Sequence, residues 1–332
     1  MNPLIHSGRL NRTPSVQAQP DQAFTLTELL VVVGTLAVLA LLLVPALADT
    51  KTDNWRIQCQ NNLKQLQVGF SQFAQDHSEM FPPAGYQTSG GVLTWDAYIH
   101  HYFGDTNSDS LWTQGFLWAG SSPTMETIEL CPADRQPRIM WMYGPGGNLQ
   151  FAPRTYAMNS PGSSYGVDIQ VDPQNGKYPL PDLNQLGRHG VGIYWSSSAS
   201  TPDWDAKGYK TSVVKDPGGT ILLCEDASSQ ACMGNIWPCC CLGPQTSSGS
   251  SGGFGNLYQI DTAAPTDSAH LSSGGYSEGQ QLYKAHWNRF NYLFHDGHVA
   301  ALKIEDTVGT ASGSLLFKLT NPKGMWTVVP GD

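Results

Sequence analysis

An uncharged stretch of twenty residues, Leu29 to Ala48, follows directly on a carboxylate, Glu28, and this junction constrains the fold more than any other part of the chain. Twenty helical residues cover about 30 Å, the thickness of the hydrocarbon core of a bilayer. A carboxylate at the start of such a run is expensive in apolar surroundings and marks a functional position. The preceding segment, 1–23, is polar, carries His6, Arg9 and Arg12, and has no apolar core of its own. A secretory signal places its small-residue cleavage site after the apolar run. Here the small residue, Ala23, comes before it, which predicts a leader (1–23) whose removal leaves the hydrophobic helix on the mature chain. A basic leader and an acidic remainder predict a cytoplasmic N-terminus and an exported C-terminal part.

The helix is expected to continue beyond the apolar run. Trp55, Ile57, Leu63, Leu66, Phe70 and Phe73 recur at three- and four-residue steps, and no proline occurs between Ala46 and Met80. Pro82-Pro83 supplies the stop. Pro45 removes a backbone donor and predicts a bend near Leu41 to Pro45. The expected architecture is therefore α+β: one long helix over 24–80, with its membrane part at 29–48 and an amphipathic second half. That second half packs on an antiparallel β-sheet head, 81–332, with long loops. A Gly-, Ser- and Cys-rich insertion is expected near 228–273.

Composition supports an exported, loop-rich head. Charged residues make up only 14% of the chain, against 35 Gly and 22 Pro, and the net charge of −9 with no basic run excludes a nucleic-acid groove. The seven cysteines favour disulfides over zinc, because the Cys239-Cys240-Cys241 triplet lacks a spaced pair and a nearby His. Spacing leaves connectivity open. Cys59 with Cys131 is the favoured bridge, since it would tie the helix to the head.

Three further segments carry candidate chemistry. Asp105, Asn107 and Asp109 alternate oxygen ligands as a calcium loop does, although Ser110 and Phe116 break the full EF-hand pattern and a solvated turn is the blander reading. Strands are expected around Arg154–Met158 and Gly219–Cys224. The run Asn291–Phe294, then His295-Asp296-Gly297-His298, then Val299–Lys303 predicts a hairpin closed by a tight primed turn at Asp-Gly. His286, His295 and His298 with Asp296 would allow a divalent site, but turn chemistry alone accounts for Asp296-Gly297, with His286 bonding the turn backbone or the Asp296 carboxylate. No nucleophile elbow or phosphate loop is present, so no enzyme is expected.

Ala23-Phe24-Thr25-Leu26-Thr27-Glu28 resembles the processing site of type IV prepilins and pseudopilins, and Pro45 falls where that class often carries a kinking proline. His286, nine residues, then Asp296-Gly297 resembles the prepilin-type family named for that C-terminal motif. The resemblance extends to the segment from Cys59 to Leu66, Cys131–Asp134, Thr155–Asn159, Val214–Pro217 and Gly324–Thr327. It implies cleavage between Ala23 and Phe24 by a prepilin peptidase/methyltransferase, with methylation of Phe24. It also implies assembly with other pilin-like subunits through the helix, with Glu28 pairing a neighbour's terminal amine. The implied protein is a single-pass inner-membrane structural subunit of a type IV pilus or type II secretion-like filament, engaging a secretion platform, with a periplasmic or extracellular head. No cofactor is required, with calcium in the head as the one candidate. The rival from another class is a membrane-tethered extracytoplasmic ligand- or glycan-binding protein, for which ten Trp and thirteen Tyr would supply aromatic platforms.

Overall fold

The computed structural model describes residues 25–104, 108–113, 127–135, 152–161, 168–170, 180, 190–226, 231–233, 239–241, 280–309 and 323–328, with side chains described outside 42–53, 127, 168–170, 240, 280–281 and 284. In chain order the elements are α1 (Leu26–Asp76), β1 (Gly85–Gln87), β2 (Val92–Thr94), α2 (Trp95–Ile99), α3 (Asp109–Thr113), β3 (Tyr156–Asn159), β4 (Asp168–Gln170), β5 (Tyr194–Ser196), β6 (Ile221–Glu225), β7 (Cys240–Cys241), α4 (Gln280–Ala285), β8 (Phe290–Phe294), β9 (Val299–Leu302) and α5 (Ile304–Thr307). Met1–Asp49 and Thr50–Asp332 form two compact units, so the contact boundary falls inside the helix rather than at either of its ends.

In the first unit, α1 opens on a reciprocal cap. The Thr25 backbone N–H donates to Glu28 Oε2 at 2.9 Å, and the Glu28 N–H returns a bond to Thr25 Oγ1 at 3.3 Å. Thr-x-x-Glu is a capping box, and it satisfies two donors that the first helical turn leaves open. Every large apolar side chain from Leu29 to Leu41 is exposed. The expected membrane span needs correction here. Among the described residues no helix is long and apolar enough to cross a membrane. The expected single-pass inner-membrane placement is corrected on the same ground.

In the second unit, α1 buries one stripe: Cys59, Leu63, Leu66, Phe70 and Phe73 are each at most 2% exposed. Their alternating four- and three-residue steps keep them on one face. Ile57, expected on that stripe, is half-exposed, while Trp55 is half-buried under Arg135. The helix stops because Ser78 and Glu79 turn left-handed, and the Glu79 N–H reaches back to the Ala74 carbonyl at 2.7 Å before Pro82.

The class is α+β, but the sheets are mixed. One sheet runs β2-β1-β5-β4, with β1 antiparallel to β2 and parallel to β5, and β4 parallel to β5. The other runs β7-β3-β6-β8-β9, antiparallel except for the β3–β7 pair. The long connections between strands permit the parallel pairs, which no two-residue turn could join. All residues of β3, β6 and β8 are buried, which explains why they read as continuous apolar runs rather than as alternation. Trp95, Trp112, Trp195 and Trp326 are fully buried, so they serve as core and not as the surface platforms a glycan-binding head would need. Truncating Leu66 to Ala is expected to cost about 2–5 kcal/mol, read as a lower denaturant midpoint with unchanged m-value.

Candidate functional site at the helix bridge and the C-terminal hairpin

The second half of the long helix is covalently joined to the rest of its unit at a buried cluster. Cys59 and Cys131 form a disulfide across a sequence separation of 72 residues. Closing a loop of that size removes chain entropy from the unfolded state, on the order of 4 kcal/mol. His286 Nε2 lies 3.5 Å from Cys131 Sγ, and His286 Nδ1 lies 3.0 Å from Glu225 Oε2. Glu225 also accepts the Asn291 backbone N–H at 2.7 Å and its side-chain amide at 2.9 Å. Asn291 in turn accepts from Gln60 on α1 at 3.1 Å, and Tyr156 donates to the Cys59 carbonyl at 3.3 Å. Glu225 and His286 are fully buried, where an unpaired carboxylate would be costly. The donors around Glu225 remove that cost, and its contact with Nδ1 turns Nε2 toward the sulfur. Cys59, Cys131, Glu225 and His286 bring ligand-type atoms within 4.8 Å of one another. With both sulfurs consumed in the bridge, the set offers no thiolates and acts as a staple.

His286 and Asp296 do not meet, in contrast to the contact expected between His286 and the turn. They stand at opposite ends of β8, five residues of extended chain apart. Nor is the turn the expected two-residue primed type. Phe294 bonds His298 and Gly297 donates back to the Phe294 carbonyl at 3.0 Å, leaving a three-residue loop with Gly297 left-handed at φ 92°. A turn followed by a left-handed glycine is the usual solution for three-residue hairpins. Asp296 accepts the His298 N–H at 3.0 Å and faces its Nδ1 at 2.7 Å. Partial burial works against the Asp296 carboxylate, but these His298 contacts hold it below the ordinary range. The Asp296 N–H donates to the Pro217 carbonyl, so the hairpin tip also seats on the turn before β6. The three histidines are thus divided: His286 on Glu225, His298 on Asp296, and His295 edge-on to Phe81 with ring centroids 4.9 Å apart.

His295 borders a cleft of about 260 Å³ between α1 and the loops, lined in part by Phe70, Ala74, Phe81, Val214 and Pro217. Both its ring nitrogens are buried without a hydrogen-bond partner. Burial pushes its pKa down to about 3, against a weaker opposing pull from Asp296.

The remaining sequence-derived positions divide cleanly. Ala23, Phe24, Asp105 and Asn107, and the side chain of Pro45, lie outside the described residues, although α1 is continuous through position 45. Glu28 is exposed, and its carboxyl is held below the usual range first by the Thr25 backbone N–H and then by the Thr25 hydroxyl. Asp109 is exposed at the start of α3, near His100 and His101. Sequence reasoning missed Glu225, Asn291 and a second buried ion pair, Arg154–Asp96 at 2.8 Å, in which Asp96 also takes the Thr94 hydroxyl. Burial, the largest single influence, opposes the Arg154 charge, but Asp96, Cys239 and Glu129 together outweigh it, so the guanidinium pKa rises. Arg154 also lies over the Trp95 ring at 5.6 Å. The one available signal was a charged residue ending or interrupting an apolar strand, as Glu225 does after Ile221–Cys224. No family model, curated protein or solved structure matches this chain.

Replacing Glu225 by Ala leaves buried donors unpaired and should cost about 3–5 kcal/mol in urea titrations, with Glu225→Gln recovering part of the loss. For His295 the folded pKa lies below the unfolded value of about 6.5, so the unfolded chain binds the extra proton. The stability this residue contributes is present above about pH 6.5 and is lost as pH falls toward about 3, at up to ~1.4 kcal/mol per pH unit. His295→Phe should flatten that slope, as measured by denaturation at a series of pH values.

Proposed function

We propose that this chain is a structural subunit of a pilin-like filament, processed before Phe24 and assembled through the N-terminal half of α1. The observation that carries this reading is uncovered apolar surface. From Leu29 to Leu41 no residue is charged, and each large apolar side chain is between 46% and 75% exposed. A contiguous apolar strip of that kind lowers its free energy by packing against another surface, and an identical helix is the partner of matching length and chemistry.

Glu28 gives such a stack its register. In the single chain its carboxylate rests on Thr25, an exposed contact that can be exchanged. Among packed apolar helices it would be costly without a cation, and the terminal amine freed by cleavage before Phe24 is a cation close in sequence. The low pKa direction of Glu28 keeps it charged for that pairing. The Cys59–Cys131 staple supports the reading in a second way, because it lets load on the helix pass into the sheet through a covalent bond.

Two measurements test the proposal. Intact-mass analysis of the chain expressed with a prepilin peptidase should show a product beginning at a methylated Phe24, and any other start would sink the processing step. Glu28→Ala should abolish incorporation into filaments while the thermal unfolding of the head stays unchanged; normal incorporation of this variant would defeat the register role.

A further inference from the structure

The segment from α2 to α3 folds back on itself and brings two adjacent histidines against a carboxylate. α2 passes into a 3-10 turn, His100–Phe103, which Gly104 caps in a left-handed conformation at φ 74°. α3 begins at Asp109, whose Oδ1 lies 3.9 Å from His100 Nε2 and 3.5 Å from His101 Nε2. The three ligand-type atoms all lie within 4.8 Å of one another. Consecutive residues of a helical turn normally point in different directions, yet these two rings have centroids only 3.7 Å apart.

We propose that His100, His101 and Asp109 form a binding site for a divalent transition metal of the zinc type. Imidazole nitrogen is a poor ligand for calcium, which takes oxygen, and a good one for zinc. Bonds of about 2.0–2.2 Å to a shared ion place ligand atoms roughly 3.3 Å apart in a tetrahedral site, so the observed spacings close with small rotations of the exposed Asp109 and His101 side chains. A dication between the three atoms satisfies both imidazole lone pairs and the carboxylate at once.

The surroundings suit a bound ion. His100 is buried, and its ring packs on Trp112 at 4.8 Å and Trp204 at 5.9 Å, which restrains its orientation. His101 and Asp109 are about 60% exposed, so an ion can enter and keep water in its remaining positions. Asp109, read above with Asp105 and Asn107 as a calcium pattern, has the Nε2 atoms of both histidines within 3.9 Å. The site is independent of filament assembly, since none of its residues lies on α1.

The test uses the purified full-length chain stripped with chelator and titrated with Zn²⁺ by calorimetry, with Co²⁺ as a visible reporter. One Zn²⁺ per chain is expected, with Co²⁺ giving d–d absorption and no thiolate charge-transfer band. His101→Ala and Asp109→Asn, both at exposed positions, should each weaken binding by about tenfold or more at unchanged thermal stability. Absence of binding, a thiolate band, or affinity unchanged in both variants would overturn the site. So would Ca²⁺ competing with Zn²⁺ on equal terms.

Discussion

The bond between Cys59 and Cys131 holds the second half of α1 at a fixed point, and the buried polar network around it depends on that position. Gln60 can reach Asn291 only because its neighbour is tied down, and Asn291 in turn presents its amide to Glu225. Glu225 then orients His286 against the sulfur. The network therefore links the helix, the 127–135 turn, β6 and β8 through directional contacts. Hydrophobic burial contributes more free energy in total, but it is non-directional and would tolerate a sliding helix. The buried ions select one register from those that the apolar stripe allows.

The short motifs that resemble the prepilin-type family become a single object in three dimensions. Asp134 accepts the Thr155 hydroxyl, and Thr155 accepts the Cys131 N–H, so the second and third motifs close on each other. Asn159 donates to the Ile221 and Trp326 carbonyls, joining the third motif to the last. Lys215 donates to the Val328 carbonyl beside that last motif, and the turn at Pro217 holds the tip of the hairpin at Asp296. His286 and Asp296 belong to this scaffold at its two ends. Their separation in this chain spans β8 rather than a shared site. This explains how a spaced pair can look like a catalytic or metal motif and yet hold a strand at both ends.

Much of the fold was legible because apolar periodicity reports burial directly. The α1 stripe, β3, β6 and the β8–β9 hairpin all sit near their expected places. Ile57 shows the limit of that signal, since a β-branched apolar residue near the stripe still faces solvent. The candidate sites were less legible. A histidine's role depends on its nearest atoms, and His286, His295 and His298 acquired three different neighbours from one short segment. His100 and His101 carry no spacing that marks ligands, because their partner, Asp109, stands at the start of α3.

By itself, the sequence determined that an uncharged apolar helix begins at a carboxylate. It also determined that an Asp-Gly turn closes the last hairpin. These are local properties, set by backbone sterics and burial of neighbouring residues. Only the tertiary structure decided that the sheets are mixed and that Glu225 is the partner of His286. It alone showed that, among the described residues, no helix is long and apolar enough to cross a membrane. Each of those outcomes depends on contacts between residues far apart in the chain, or on how far an element extends, and nearest-neighbour chemistry encodes neither.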